Sequence, residues 1–210
     1  VALVVAETLE GAQSTALNLS LRYTAEAAAF DPEAVDPEFP PKKQSESGDL
    51  DAAMAAAAFS VDGVWRTPSM AAAAMEPHAA VAEWQDDRVT IRASMQMLSS
   101  NRAQMADALG IAEEKVRLLA PYVGGGFGSK LGINAEAVAA AVAARDLGRP
   151  VSVTMTRPQV FDLSHRRSET RQRILLACNA EGRLTGIGHE ALVANLPDTT
   201  FSDPVTQATP

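Results

Sequence analysis

Gly124-Gly125-Gly126-Phe127-Gly128 places four glycines in five residues between an apolar run and an alanine-rich stretch. Such a segment has no side chains to hold a helix or strand, so the chain must turn there. Glycine lets the backbone adopt positive φ and lets another group approach closely. A strand that enters such a turn and leaves as a helix presents N–H groups to an oxyanion or phosphate. The segment is not a Walker A loop, because Ser129 precedes Lys130 and Leu131 follows it. Nor is it a G-x-G-x-x-G fingerprint, since Ser129 holds the last glycine position. Two readings stand: a structural turn, or a cradle for an anion. Phe127 inside the turn is expected to pack against core or ligand.

Around this turn the pattern is α+β, mixed rather than strictly βαβ. Residues 1 to 6 read as a buried strand. Thr8 is expected to cap a helix whose inner face carries Leu9, Ala12, Ala16 and Leu19, and residues 20 to 24 read as a returning strand. Residues 26 to 48 hold Asp31-Pro32, Asp36-Pro37 and Pro40-Pro41, which mark a linker or a long surface loop. Asp49 is expected to cap a second helix, and residues 60 to 67 to form a strand. Residues 79 to 84 and 88 to 93 predict a hairpin with Val89 and Ile91 inward. Ser100 is expected to cap a helix ending at Gly110. Residues 115 to 120 are a strand entering the glycine turn. Asn134 is expected to cap the helix after it, with Val138, Val142 and Leu147 on its face and Gly148 at its end. Further strands are expected at 151 to 156, 171 to 177 and 184 to 193.

With 210 residues, the chain is one domain or two small ones. Forty alanines and 5% aromatics mean that packing must come from Val, Leu, Ile, Met and close alanine contacts. A net charge of -8 disfavours non-specific nucleic-acid binding, which needs clustered Lys and Arg. One cysteine, Cys178, and three histidines exclude an internal disulfide framework and disfavour a protein-built metal cage. No apolar run reaches membrane-spanning length. No signal peptide is visible. Because the opening strand has no initiator Met and residues 199–210 are polar and Pro-bounded, the sequence is expected to be a piece of a longer polypeptide.

Other candidate groups each have a plain reading beside the functional one. Glu76 and His78 are acid–base candidates or turn residues satisfying local backbone. Cys178 is expected to be a buried small hydrophobe. His165-Arg166-Arg167 with Arg171 and Arg173 form a solvated basic face or an anion site. His189 is expected to be inert.

Glu76-Pro77-His78, Ser94-Met95-Gln96 and the segment VRLLAPYVGGGFGSK ending at Lys130 lie in an order and spacing that resemble one family. NAEAVAAAVAARDLGRPVSVTMTR and HRRSETRQRI fit it too. It is the molybdopterin-binding large subunit of the xanthine dehydrogenase and aldehyde oxidase family of molybdenum hydroxylases. The opening residues 1 to 25 resemble the end of its α/β-hammerhead unit. The resemblance then implies a linker over 26–48 and the first part of a molybdopterin-binding domain, with mixed sheet and helices, over 49–210.

By this resemblance Gln96 hydrogen-bonds an oxygen ligand of the molybdenum. The backbone of Gly125, Gly126, Phe127 and Gly128 lies beside the metal and the pterin. The metal is held by the cofactor's own dithiolene sulfurs, so the protein supplies donors and orientation rather than ligands. A cytosine dinucleotide form of the cofactor is one option, with iron–sulfur clusters and FAD on partner domains or subunits. The implied reaction oxidises an aldehyde or N-heterocycle with oxygen from water. The implied compartment is cytoplasmic, or periplasmic through a partner subunit.

Departures from the pattern are Met95 where Thr is usual, Arg167 where Pro is common, and the alanines at 71–74 where a His often stands. Purine-oxidising members carry Glu just after the turn's lysine, whereas Leu131 stands here, which argues against a purine. The family's later Arg-Gly-Phe-Gly-type loop and its C-terminal catalytic Glu have no counterpart in these residues. The fragment is therefore expected to be inactive alone. The competing reading is a non-catalytic scaffold or phosphate-binding module that has lost the catalytic parts.

Overall fold

A computed structural model describes residues 2–25 and 46–193. In chain order the elements are α1 (Leu9–Leu17), α2 (Leu50–Ala55), β1 (Phe59–Thr67), β2 (Met70–Ala71), β3 (Ala79–Gln85), β4 (Arg88–Ala93), α3 (Leu98–Leu109), β5 (Val116–Leu119), α4 (Ala135–Leu147), β6 (Val151–Thr154), α5 (Arg157–Leu163), β7 (Arg166–Arg167), β8 (Thr170–Cys178) and β9 (Leu184–Val193). They form two compact units, one of residues 1–25 and 71–166, the other of residues 26–70 and 167–210. The expected linker falls mostly on residues 26–45, outside the described residues.

The first unit is built on a four-stranded mixed sheet in the order β5-β4-β3-β6. The β3–β4 hairpin forms as its alternation predicts, with Val89 and Ile91 buried and Arg88 and Arg92 exposed. Asp86 turns the hairpin at φ 55°, a conformation that Asp tolerates better than most residues. Strand β5 joins β4 in parallel, and β6 joins β3 antiparallel.

Helix α4 packs on this sheet through alanines. Ala137, Ala140, Ala141 and Ala144 are fully buried, whereas Val138 and Val142 are half-buried and Leu147 is exposed. Val138 and Val142 still pack against the core from the side of this alanine face, and only Leu147 turns to solvent. Ala80 and Ala82 on β3 are small as well, and facing methyl groups let the helix backbone come close. The Trp84 indole then reaches the helix, donating to the Ala141 carbonyl at 2.8 Å. Each buried methyl-sized group contributes only about 0.8 kcal/mol, so this core gains by number rather than by bulk.

Helix termini show what sequence spacing resolves. Gly110 and Gly148 stop α3 and α4 in left-handed conformations, as expected. Ser100 is not the α3 cap. The helix starts at Leu98, and the Ser100 hydroxyl donates back to the Met97 carbonyl at 3.2 Å. Asn134 does occupy the N-cap of α4, but its side chain makes no capping bond. Helix α5 was not foreseen, although Thr156-Arg157-Pro158-Gln159 is a capping-box sequence and the box forms.

In residues 2–25, α1 forms with the Thr8 hydroxyl accepting from the Gly11 N–H at 3.1 Å. The flanking strands expected at 1 to 6 and 20 to 24 do not form among the described residues. No described strand pairs with them, and a strand without a ladder leaves its N–H and C=O groups unmatched. No α1 residue is buried, so its expected inner face has no cover here.

The second unit is an antiparallel sheet in the order β1-β8-β9, with α2 laid on it. The Asp49 carboxylate caps α2 by accepting from the Ala52 N–H at 2.9 Å. Helix and sheet approach closely at Gly186 and Gly188. A Cβ on Gly188 would sit 2.6 Å from Leu50 Cδ2, and one on Gly186 would sit 2.9 Å from Ala53 Cβ. Cys178, expected to be buried, is half-buried at the register shift that ends β8. His189 pairs with Gln172 across β9 and β8 at 3.0 Å. Arg173 of the basic stretch is held by the Asp62 carboxylate at 2.9 and 2.7 Å.

Candidate functional site

Strand directions in the first unit bring distant segments to one end of one sheet. β4 and β5 are parallel, with Arg92 opposite Leu119, so Ser94-Met95-Gln96 and the glycine turn emerge side by side. β3 runs the other way, with Ala80 opposite Ala93, so Glu76-Pro77-His78 enters at the same end. β6 pairs Thr154 with Ala79, which brings Met155 and Arg157 there as well. The Met155 N–H donates to the His78 carbonyl at 2.9 Å. The Arg157 guanidinium donates to the carbonyls of Ala74 and Met75 at 2.7 and 3.0 Å. Four strand ends thereby fix the residues that surround the turn.

Gln96 ties the turn from one side. Its Oε1 accepts from the N–H groups of Gly128 and Lys130, both at 3.2 Å. Its own N–H donates to the Lys130 carbonyl at 2.8 Å. With Oε1 used as the acceptor, the amide orientation is fixed and its other end is the NH2 donor. Nε2 has no acceptor among the described residues.

Glu76 ties the other side. Its Oε2 accepts from the Gly124 N–H at 2.6 Å and from Lys130 Nζ at 2.8 Å. Lys130 is fully buried, and its ammonium also donates to Ser94 Oγ at 3.0 Å and to the Glu76 carbonyl at 3.3 Å. Burial pulls the Glu76 carboxyl upward. Hydrogen bonds from Lys130, Ser94 and Gly124, with the Lys130 charge, outweigh it and hold the carboxyl below its usual range.

Beneath the turn, Ser129 is buried and its hydroxyl donates to the Gly126 carbonyl at 2.8 Å. The Ser129 carbonyl accepts from His78 Nε2 at 3.2 Å and from Asn134 Nδ2 at 3.0 Å. Donation from Nε2 fixes the His78 tautomer and leaves Nδ1 buried without a partner. Burial lowers the His78 pKa, opposed by the Ser129 carbonyl and reinforced by the Lys130 charge. Asn134 Oδ1 in turn faces His165 Nδ1 at 3.0 Å. Glu136 stands two residues on, with Oε2 buried and unpartnered. Burial pushes its carboxyl up to about 7, against the pull of its own backbone N–H and of Lys130.

The turn leaves a run of donors. Among the described residues, no acceptor is paired with the N–H groups of Gly125, Gly126 and Phe127. Gly125 and Gly128 have φ of 95° and 93°, and Phe127, unusually for a bulky residue, has φ 52°. Of the two expected settings for Phe127, core or ligand, the core is excluded. Its side chain is 75% exposed, with one ring edge over Gly125. A buried position beside the turn offers no room for a bulky ring, because Gly126 is already against the Gln96 amide.

The sequence-predicted residues Gln96, Gly125, Gly126, Phe127 and Gly128 are thus brought together, with Glu76 and His78 beside them. Cys178 and His189 lie in the other unit. The structural importance of Lys130, Asn134 and Arg157 was not visible in the sequence. No local pattern signals a lysine buried by a carboxylate 54 residues upstream.

Beyond its own geometry, the chain matches a family model described as "Molybdopterin cofactor-binding domain" over residues 35–210. The chain belongs to the molybdopterin cofactor-binding domain family. It is 37% identical to the aldehyde oxidoreductase molybdenum-binding subunit PaoC of Escherichia coli (strain K12), over 99% of this chain and 29% of that protein. It is 32% identical to the nicotine 6-hydroxylase large subunit of Paenarthrobacter nicotinovorans, over 70% of this chain and 18% of that protein. Among solved structures, quinoline 2-oxidoreductase from Pseudomonas putida 86 superposes with a TM-score of 0.74 at 24% identity. That match covers 89% of this chain and 25% of the other, and it shows the shared fold. Aldehyde oxidoreductase from Desulfovibrio gigas superposes with a TM-score of 0.65 at 26% identity, over 70% of this chain and 16% of the other. The chain spans less than a third of the length of these relatives. They are oxidoreductases, and none of them favours the scaffold-only reading.

The molybdopterin-binding family implies a molybdenum cofactor, and the residues present fit one. A cofactor rich in oxygen and phosphate needs donors and close backbone approach. The turn supplies three unpaired N–H groups, the Gln96 amide supplies a fixed NH2, and the glycines leave room.

Proposed function

We propose that residues 71–166 form part of the cofactor-holding wall of a molybdenum hydroxylase that oxidises an aldehyde or an N-heterocycle. The observation that carries this reading is the Gln96 amide. Its oxygen is held by two backbone N–H groups, so its NH2 is preset as a donor beside the free N–H groups of the turn. When bound, the molybdenum cofactor supplies the two-electron redox chemistry. The chain's own residues bind and orient it. Gln96 donates a hydrogen bond to the cofactor's polar atoms. The backbone of Gly125, Gly126, Phe127 and Gly128 would lie beside it, and the exposed Phe127 ring would pack near it.

Leu131 at the position after Lys130 supports an aldehyde or neutral heterocycle over a purine, because no carboxylate stands there to pair with the ring nitrogens. The remaining assignments follow the family resemblance. Residues 1–25 close a hammerhead-like unit, 26–48 link it, and 49–210 belong to the cofactor domain. The cofactor's dinucleotide form, with cytosine as the candidate, lies with residues beyond this site. Iron–sulfur clusters and FAD are carried by partner domains or subunits, and the compartment implied is the cytoplasm, or the periplasm through a partner subunit. No described helix is long and apolar enough to cross a membrane.

Elemental mass spectrometry of the native protein that carries this segment tests the reading. Close to one molybdenum per chain is expected. Metal-free protein, from cells whose other molybdoenzymes are loaded, overturns it.

A further inference from the structure

The glycine turn is held at both ends by one carboxylate. Glu76 Oε2 accepts from the N–H of Gly124, where the turn begins, and from the ammonium of Lys130, where it ends. Glu76 also donates its own N–H to the Gly124 carbonyl at 3.2 Å. The fit leaves no slack, since a Cβ on Gly124 would lie 2.5 Å from Glu76 Cβ. The ammonium of Lys130 has three protons, and three oxygens surround it: Glu76 Oε2, Ser94 Oγ and the Glu76 carbonyl. It has no donor left for a ligand, and its side chain is fully buried. Lys130 is therefore not a ligand-binding cation, despite standing beside a donor-rich turn. What its charge does is draw 124 and 130 onto a single carboxylate. The three residues with free N–H groups, 125 to 127, lie between those two anchors.

We propose that Glu76 and Lys130 are a positioning pair. They set the closure of the 124–130 turn, so that the N–H groups of Gly125, Gly126 and Phe127 are presented together with the Gln96 amide to one anionic or oxygen-rich ligand. The proposal rests on the cofactor reading above for the identity of that ligand, and on the pair's geometry for the closure itself. Charge-assisted hydrogen bonds have the required strength, being about twice as strong as neutral ones. A lysine–carboxylate pair placed for fold stability alone would not need to grip both ends of a turn whose middle N–H groups are unpaired.

The test uses the full protein that carries this segment, as wild type, Lys130→Met, Glu76→Gln and the double variant. Three quantities are read: molybdenum per chain, the thermal midpoint, and amide hydrogen exchange of the peptide spanning 121–131 in cofactor-free protein. The double variant leaves no buried unpaired charge, so its thermal midpoint returns toward wild type. Its turn remains unclamped, so molybdenum per chain stays roughly tenfold below wild type, the factor set by one lost charge-assisted bond. Exchange over 121–131 is faster in Lys130→Met than in wild type. Molybdenum retained at the wild-type level in Lys130→Met overturns the proposal. So does a molybdenum loss that merely follows the thermal midpoint across the variants, or unchanged exchange over 121–131. If wild type itself holds no molybdenum while Lys130→Met still exchanges faster, the cofactor reading fails and the positioning pair stands.

Discussion

Lys130 Nζ lies 2.8 Å from Glu76 Oε2, yet the two side chains meet water very differently. The lysine side chain is 0% exposed and the glutamate side chain is 36% exposed. Removing one partner of such a pair strands the other. Glu76→Ala leaves a fully buried ammonium with only neutral acceptors, and is expected to cost about 3 kcal/mol or more. Lys130→Met leaves a carboxylate that can reach water, and is expected to cost about 1 kcal/mol. Chemical denaturation of both variants checks the order; equal costs would show that exposure does not decide it.

Gly126→Ala places a methyl group against the Gln96 amide. Gln96 must move, and the bonds from Gly128 and Lys130 to its oxygen lengthen. Molybdenum per chain is expected to fall. Gly110→Ala is the control: nothing lies within 4 Å of its Cβ, and only the φ of 65° is strained. It should cost about 1 kcal/mol of stability and leave cofactor content unchanged.

Gln96→Ala removes both the tether and the free donor, while Gln96→Glu keeps the accepting oxygen and removes the NH2. If the NH2 is the group the cofactor needs, the glutamate variant should hold the turn as wild type does and still lose molybdenum. Hydrogen exchange over the turn together with metal analysis separates the two effects. A glutamate variant loaded like wild type would remove the NH2 from the site.

Two buried groups titrate in opposite senses. The Glu136 carboxyl is raised from 4.5 to about 7 by burial. Between those values the folded state keeps a proton that the unfolded chain has released. Stability therefore falls as pH rises from 4.5 to 7 and levels off above, by about 3 kcal/mol at most. Glu136→Gln should flatten this slope and be more stable than wild type at pH 8 in urea denaturation. An unchanged slope would show that Glu136 is not its source.

His78 is lowered from 6.5, mainly by burial. The unfolded chain takes up its proton first, so this stability is present above pH 6.5 and is lost as pH falls through the lower folded value. Its buried Nδ1 has no acceptor for that proton. His78→Gln, which keeps a donor for the Ser129 carbonyl, should remove the acid-side loss. Unfolding curves between pH 5 and 7 read it directly.

How far the sequence reaches is clear from particular residues. Period-two alternation marked β4, because one face of an antiparallel hairpin is wet. Gly110 and Gly148 marked helix ends because only a left-handed residue closes those turns cheaply. The motifs around Gln96 and the glycine turn were readable as chemistry, since their residue types and order carry the family's pattern. Local signals failed where a side chain had a better partner far away. Asn134 stands at the cap position, but its side chain bonds the Ser129 and Gly132 carbonyls instead of the helix.

The sequence by itself determined the class of element at most positions, the place of the turn and the family of the chain. Those follow from local periodicity, backbone freedom and motif order. Only the tertiary structure decided that Glu76, Gln96 and Lys130 share one turn, that Lys130 is dry, and that Phe127 faces outward. The physical reason is strand direction. A parallel β4–β5 pair beside an antiparallel β3 brings three chain segments to the same sheet end, and hydrogen bonds between residues up to 83 positions apart then fix the site.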